Sequence, residues 1–244
     1  MDHKAACDVL VIGSGAGGLA AAITARHHGL DVIVVEKAAH FGGTTARSGG
    51  VLWIPCNPIS KAAGVADTLE AARAYLRHEC GRRYDEAKVE AYLAAGPEMV
   101  DFFTRHSEVR FASVGTFPDY HPGAPGAVGG GRSIQAKAYL RDEFGPELKR
   151  HPLLRRLARP LPGATFLGLN VARDELAHFY SALRSGRSLA YVAATLLRHF
   201  ADLVLHRCSL RAVNGNALAA RLGASASALG IPLWLSTPAR ELLV

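Results

Sequence analysis

The chain has 244 residues, 49% of them hydrophobic and 20% charged, which excludes wholesale disorder and leaves room for one large domain or two small ones. Lys and Arg total 28 against 21 Asp and Glu, a formal charge of +7 that favours anionic partners but does not by itself imply nucleic acid. Cys7, Cys56, Cys80 and Cys208 form no C-x-x-C, so neither a disulfide framework nor a zinc knuckle is expected, and the cytoplasm is the default compartment.

From the N-terminus, Val9, Leu10, Val11 and Ile12 make the short apolar run of a strand buried on both faces. The run leads into a glycine turn and is flanked by Asp2 and Asp8, which does not make a good signal peptide. Residues 16–28 are alanine-rich and predict a helix stopped by Gly29 in the C′ position. Val32, Ile33, Val34 and Val35 predict a second buried strand, and the order strand, helix, strand predicts a parallel pair with a right-handed crossover. A loop rich in Gly, Thr and Ser follows over residues 41–50. Residues 67–79 and 85–105 read as helices, the first with Asp67 and Glu70 as a capping box, the second broken or kinked at Gly96 and Pro97. Residues 112–133 are irregular and rich in Gly and Pro, and residues 141–163 are basic and punctuated by proline. Helix returns over residues 174–206, interrupted near Gly186, and again over 214–229, before a strand at 231–235. No apolar run approaches the roughly 18 residues that a membrane-spanning helix needs.

Residues 13–18 fit G-x-G-x-x-G, with Gly13, Gly15 and Gly18 in the fixed places and Ser14, Ala16 and Gly17 between them. Gly13 permits the tight turn, Gly15 lets a pyrophosphate approach the backbone, and Gly18 lets the helix pack on the strand. Unpaired N–H groups at the helix start favour the phosphates. Glu36, followed by Lys37, ends the second strand, where a carboxylate accepts both ribose hydroxyls of an adenosine and repels a 2′-phosphate. A strand before the turn, a helix after it and the acid in place separate a dinucleotide site from a chance glycine turn. Gly43, Thr44, Thr45, Ala46, Arg47, Ser48, Gly49 and Gly50 come directly afterwards. Small residues let amides and hydroxyls lie along a long flat ligand, and Gly49 with Gly50 would let a tricyclic ring approach the main chain. NAD makes no such demand at this point, so FAD is the expected cofactor. No set of His, Cys and carboxylates shows metal-ligand spacing.

On these residues the chain resembles the fumarate reductase/succinate dehydrogenase-type flavoproteins, the FAD-binding type 2 family, and within it the 3-ketosteroid Δ1-dehydrogenase branch. The resemblance is carried by residues 13–18, by Glu36 and Lys37, and by residues 43–55. Pro118-Asp119-Tyr120-His121-Pro122, Gly131-Arg132-Ser133 and Asn214-Gly215-Asn216-Ala217-Leu218 extend it. It ends at Val244, where the family continues, so an N-terminal portion is expected. The fold class implied is α/β: a Rossmann-like FAD-binding βαβ domain, its sheet incomplete, interrupted by a mainly helical cap or substrate domain. Residues 1–56 would form the first FAD-binding segment, 57–207 the helical insert and 208–244 the return.

The resemblance implies an FAD-dependent oxidoreductase acting on CH–CH groups. A proton beside a ketone leaves to a tyrosine base and a hydride leaves to flavin N5. The implied partners are a lipophilic keto-steroid-like small molecule and an unidentified electron acceptor. Tyr120 matches the family's N-terminal active-site tyrosine, which supports the base by hydrogen bonding. The base itself belongs to family segments past Val244, so lost turnover is the corollary of a truncated chain. Ser48 is implied near flavin N5, Thr44 and Thr45 near the pyrophosphate, and Ala239 as a backbone partner of adenine. His121 reads as a loop residue and Arg132 as a surface one, with pairing to an anionic group as the alternative. Lys149, Arg150, Arg155, Arg156 and Arg159, with leucines between them, read as a solvated face. The other reading is contact with an anionic membrane surface, which would make the protein cytoplasmic but peripheral to the membrane. No nucleic-acid motif accompanies this charge. Two alternatives stand beside the leading one: a fumarate-reductase-like flavoprotein acting on a small unsaturated acid, and a non-catalytic flavin-binding remnant.

Overall fold

The computed structural model describes residues 5–139, 169, 171–172, 175–206 and 209–243. Strand β1 (Val9–Ile12), helix α1 (Ala16–His27) and strand β2 (Val32–Val35) form the expected βαβ unit. β1 and β2 pair in parallel, Val9 opposite Val32 through to Ile12 opposite Val35. Helix α1 ends at His27 because Gly29 adopts φ +83°, a left-handed conformation that glycine takes without steric cost.

All four residues of β2 are buried. β1 departs from the expectation of burial on both faces: Val11 is buried, whereas Leu10 and Ile12 are 50% and 56% exposed. Side chains alternate across a strand, so Val11 faces α1 and the opposite face of β1 is left uncovered.

The chain divides into two units, Met1–Gly50 with Ala138–Val244, and Val51–Lys137. In the first unit, strand β6 (Leu233–Trp234) adds in parallel to the other side of β2, giving the order β1-β2-β6. This is an open three-stranded sheet of the kind found in one half of a doubly wound fold. β6 is shorter than the expected 231–235, since Pro232 precedes it and Ser236, at φ +55°, turns the chain away. Helices α5 (Leu176–Tyr180), α6 (Gly186–His206) and α7 (Asn214–Ala228) belong to this unit.

α7 occupies the residues predicted for it and is buried continuously from Gly215 to Ala226. Its small side chains let it lie against α1 and the 3-10 turn Thr45–Arg47. Gly223 is required there, because a Cβ would stand 2.5 Å from the Phe41 ring. Arg221, also buried, donates to the Ala138 carbonyl at 2.8 Å and lies over the Tyr139 ring.

α6 corrects a second expectation. No uninterrupted apolar run of spanning length exists, but within the 20 residues Gly186–Leu205 an 18-residue stretch is apolar on average. Among the described residues it is the one helix long and apolar enough to cross a membrane, by length and composition. Its scattered charges are diluted among Leu, Val and Ala.

In the second unit, strands β3 (Val51–Trp53), β4 (Phe111–Ser113) and β5 (Ser133–Ala136) form an antiparallel sheet in the order β3-β5-β4. Helices α2 (Pro58–Ala62), α3 (Leu69–Cys80) and α4 (Glu86–His106) accompany it. Ala72, Val89 and Leu93 make a core between α3 and α4, against which Trp53, Leu76 and Tyr84 pack. The cap of α3 is Thr68, whose hydroxyl accepts from the Ala71 N–H, and not Asp67. Asp67 is drawn instead to the Cys56 N–H and to Arg132. α4 runs on through Pro97 without the predicted break, with Gly96 buried against Ile54. The basic cluster from Lys149 to Arg159 lies outside the described residues.

Candidate functional site

The glycine turn connects β1 to α1 with the close packing its sequence requires. Gly13 takes φ +99°, and its N–H donates to the Val35 carbonyl at 2.8 Å, tying the turn to β2. A Cβ on Gly18 would lie 2.0 Å from the Gly13 carbonyl oxygen and 3.3 Å from Val11 Cγ1. Gly15 is different. Its backbone is extended, with φ −71° and ψ −178°, and a Cβ there would meet only Thr45 Oγ1, at 3.7 Å. Gly18 is therefore a packing glycine, whereas Gly15 is one that the protein's own packing does not demand.

Ser14 is fully buried and joins the turn to the acid at the end of β2. Its hydroxyl donates to Glu36 Oε2 at 2.6 Å and its N–H to the same oxygen at 3.0 Å. The hydroxyl also accepts from the Gly42 N–H. Ala38 N–H donates to Glu36 Oε1 at 2.9 Å. Burial alone would raise the Glu36 carboxyl, but these hydrogen bonds and the neighbouring Lys37 charge outweigh it and hold the pKa below its ordinary value. Glu36 is thus an anion at neutral pH. A carboxylate offers about four acceptor positions, and donors of the chain fill three of them, leaving room for one ribose hydroxyl on Oε1.

The loop after β2 crosses the start of α1. Thr45 Oγ1 accepts the Ala16 N–H at 3.0 Å, and the Cβ position of Gly43 lies 3.6 Å from Gly15 Cα. Gly43, Thr44, Ser48 and Gly49 are exposed on this loop, as is Lys37 beyond β2. Ser48 Oγ donates to the Thr45 carbonyl and accepts from the Gly50 N–H. Gly50 has a reason that sequence reasoning missed. At φ +65° its Cβ would lie 2.2 Å from the Gly215 nitrogen, where the start of α7 closes on the loop. Gly215 N–H donates to the Ser48 carbonyl, and Asn216 Nδ2 reaches the Ala46 carbonyl. The only sequence sign of this contact was the run Asn214-Gly215-Asn216 itself. The segment after β6 runs beside the acid, with Thr237 N–H donating to the Glu36 carbonyl at 2.8 Å; Ala239 follows, exposed.

One unit therefore gathers the turn, Glu36 and the 42–50 loop. The helix start, the open face of Gly15 and the ionised Glu36 suit the pyrophosphate and adenosine ribose of FAD.

Tyr120 belongs to the other unit. Its side chain is 85% exposed and meets Phe117 edge-on, with ring centroids 6.3 Å apart. Both neighbours in the chain are anchored. Asp119 is buried, accepting from Trp53 Nε1 at 2.7 Å, from Arg132 Nη1 at 2.9 Å and from the Val128 N–H at 3.0 Å. His121 Nδ1 stands 2.8 Å from both Glu79 oxygens, and its N–H donates to the Tyr75 hydroxyl at 3.3 Å. Arg132 is not the surface residue expected. It is 1% exposed and bridges Asp119 and Asp67, its Nη2 2.7 Å from Asp67 Oδ1. Two carboxylates brought together from distant parts of the sequence make the buried cation tolerable, and local sequence carries no sign of that.

The family described as FAD binding domain matches the chain over residues 8–244. A 3-oxosteroid 1-dehydrogenase of Mycobacterium tuberculosis (strain ATCC 25618 / H37Rv) is 48% identical over 141 residues, 58% of this chain and 25% of that protein. A 4-oxocyclohex-2-ene-1-carboxylate 5-dehydrogenase of Sinomonas cyclohexanicum is 39% identical over 239 residues, 97% of this chain and 39% of that protein. The crystal structure of the 3-ketosteroid Δ1-dehydrogenase of Sterolibacterium denitrificans, in complex with 1,4-androstadiene-3,17-dione, superimposes with a TM-score of 0.81 at 32% identity. It covers 97% of this chain and 41% of its own. The chain spans between a quarter and about two-fifths of the length of these relatives.

Proposed function

The chain belongs to the FAD binding domain family, and from that premise we propose that it holds FAD for the dehydrogenation of a cyclic ketone beside its carbonyl group. The observation that carries the reading is the conjunction of the Gly13–Gly18 packing contact, the Ser14-anchored Glu36 and the 42–50 loop across the start of α1. The activities named for the two relatives, on a 3-oxosteroid and on a 4-oxocyclohex-2-ene-1-carboxylate, share a ketone in a six-membered ring. A lipophilic keto-steroid-like molecule is the substrate class we favour.

When bound, FAD supplies a two-electron acceptor for the hydride. The chain's own part is to bind and orient. N–H groups at the start of α1, with Thr44 and Thr45, take the pyrophosphate, Glu36 takes a ribose hydroxyl, and Ala239 offers its backbone to adenine. Ser48, Gly49 and Gly50 line the approach of the ring system. Tyr120, by the family resemblance, supports the group that removes the α-proton through a hydrogen bond from its hydroxyl. The test is the visible spectrum of the purified protein with added FAD, followed by 3-ketosteroid and an artificial electron acceptor. Structured flavin bands are the expected result, and failure to take up FAD overturns the reading. Steroid-dependent acceptor reduction supports its catalytic half, and FAD uptake without turnover on any cyclic ketone favours the alternative of flavin binding without catalysis.

We further place the protein on the cytoplasmic side of an anionic membrane surface. The exposed residues of α6 include Leu197, Val204 and Leu205 together with Arg187 and Arg198, and no carboxylate. This supports a lipid-facing helix, where a lipophilic substrate would be concentrated.

A further inference from the structure

Tyr120 sits in a stretch that by composition should have little fixed geometry. Pro118, Pro122, Gly123, Pro125 and Gly126 surround it, and residues 114–132 hold no regular element. Yet the residues on either side of it are tied down and it alone is not. Asp119 is buried, His121 is held at the surface by Glu79, and Tyr120 between them is left 85% exposed.

Asp119 is the deeper anchor. All of its side-chain partners, Trp53 Nε1, Arg132 Nη1 and the Val128 N–H, come from outside the Pro118–Pro122 stretch, and its own N–H donates to the Val128 carbonyl at 3.1 Å. Arg132 is fixed in turn by a two-pronged contact with Asp67, Nε at 3.1 Å from Oδ2 and Nη2 at 2.7 Å from Oδ1. Its guanidinium also lies 5.4 Å from the Trp53 ring centroid and 5.9 Å from that of Tyr75. Tyr75 is the residue whose hydroxyl receives the His121 N–H. The planar fork of arginine allows one side chain to hold two carboxylates at defined angles, which a lysine cannot do. Stripping water from such a cluster is costly, and an apolar core of the same volume would be at least as stable. What a charged cluster can supply beyond stability is a fixed register for the backbone it ties, here at residue 119.

We infer that Arg132 is a positioning residue for Tyr120: through Asp119, and with Trp53, it holds the backbone on one side of Tyr120 so that the exposed phenol is presented in a single orientation. This deepens the proposed function and rests on it for the part Tyr120 plays toward substrate. The anchoring itself stands on geometry alone.

The experiment uses the full chain loaded with FAD and the variants R132K, W53F, Y120F and R132K/Y120F. W53F removes the indole N–H that reaches Asp119, together with part of the ring that packs beside Tyr75 and Arg132, and it keeps the anchoring test open should R132K fail to fold. Amide hydrogen exchange is read first. The Asp119, His121 and Val128 amides are expected to exchange at least 10-fold faster in R132K and in W53F, with the Val32–Val35 amides unchanged. Unaltered exchange at those three amides overturns the inference whatever the activity. Turnover of a 3-ketosteroid is read second. R132K and Y120F should each lower kcat at least 10-fold with KM altered far less, and R132K/Y120F should be no slower than Y120F alone. Losses that multiply in the double variant indicate a general structural defect and overturn the positioning role. Faster exchange together with wild-type turnover in Y120F supports the anchor and overturns the role of Tyr120 in the proposed reaction. If even the wild-type chain shows no turnover, it is the proposed reaction that fails, and the exchange measurement decides the anchoring by itself.

Discussion

Ser14 gives Glu36 two hydrogen bonds at a single oxygen, from its hydroxyl at 2.6 Å and its backbone N–H at 3.0 Å. A buried anion is thereby fixed at the end of β2, and the turn before α1 is fixed to it. Ser14→Ala removes one charge-assisted hydrogen bond and should cost about 2 kcal/mol. The pH dependence follows from the sign of the shift. The Glu36 pKa is lowered in the folded chain, so its contribution to stability is complete above the ordinary carboxylate value and is lost as pH falls through the lower folded value. Without the Ser14 hydroxyl the folded pKa rises, and the loss of stability on acidification should begin at a higher pH. Urea midpoints measured from neutral pH downward check this; identical acid profiles for the two proteins would show that Ser14 does not set the charge of Glu36.

The glycines of the turn should separate by role. Gly18→Ala drives a methyl group into the Gly13 carbonyl, at 2.0 Å, and should cost about 3 kcal/mol or more by displacing α1 from β1. Gly15→Ala meets only Thr45 Oγ1, at an ordinary 3.7 Å, and its φ of −71° suits any residue. Its thermal midpoint should stay within a few degrees of wild type, while the FAD dissociation constant rises at least about 10-fold, or 1.4 kcal/mol. Thermal melts with and without FAD distinguish the two. Unchanged FAD affinity in Gly15→Ala would mean that the pyrophosphate does not approach the backbone there.

The parts of this fold that were legible in the sequence are those whose cause is local. Four β-branched residues in a row make β2, Gly29 stops α1, and the small-residue run of α7 is helical to within one residue of its predicted end. What was misread depends on residues far apart in the chain. Asp67 looked like a helix cap until Arg132 is seen to claim it, and Arg132 looked superficial until Asp67 and Asp119 are seen to bury it. Pro97 stays inside α4, where Ile54 packs from outside against the neighbouring Gly96. In the candidate site the turn and its acid were readable, but the donors that fill Glu36 and the helix that closes on Gly50 are tertiary.

Gly50 and Gly215 make such a tertiary contact, and it can be tested independently of any ligand. The Cβ of an alanine at position 50 would lie 2.2 Å from the Gly215 nitrogen, on a backbone at φ +65° that L-residues seldom adopt. Gly50→Ala should therefore cost about 3 kcal/mol, strain and overlap together. Gly49→Ala has nothing within 4 Å of its Cβ and should leave stability nearly unchanged. If the 42–50 loop is shaped by α7, Gly50→Ala should also speed amide exchange at Gly215, whose N–H donates to the Ser48 carbonyl at 3.1 Å. Equal stability of the two variants would remove α7 as the reason for the second glycine of the pair.

The outward side of α6 makes the membrane proposal specific. Leu197, Val204 and Leu205 are 70%, 80% and 71% exposed, and the exposed charges on the same helix, Arg187 and Arg198, are both cationic. An apolar strip edged by cations should bind vesicles containing anionic lipid better than neutral ones, each arginine near the surface adding about 1 kcal/mol. Raising salt should weaken binding, because that share of the attraction is screened. The double substitution L197E/V204E places carboxylates at two exposed positions and should abolish sedimentation with phosphatidylglycerol-containing vesicles while leaving the thermal midpoint unchanged, since neither side chain is part of the core. Vesicle binding that survives the double substitution would transfer the contact to another surface, and equal binding to neutral and anionic vesicles would remove the charge argument for the location of this protein.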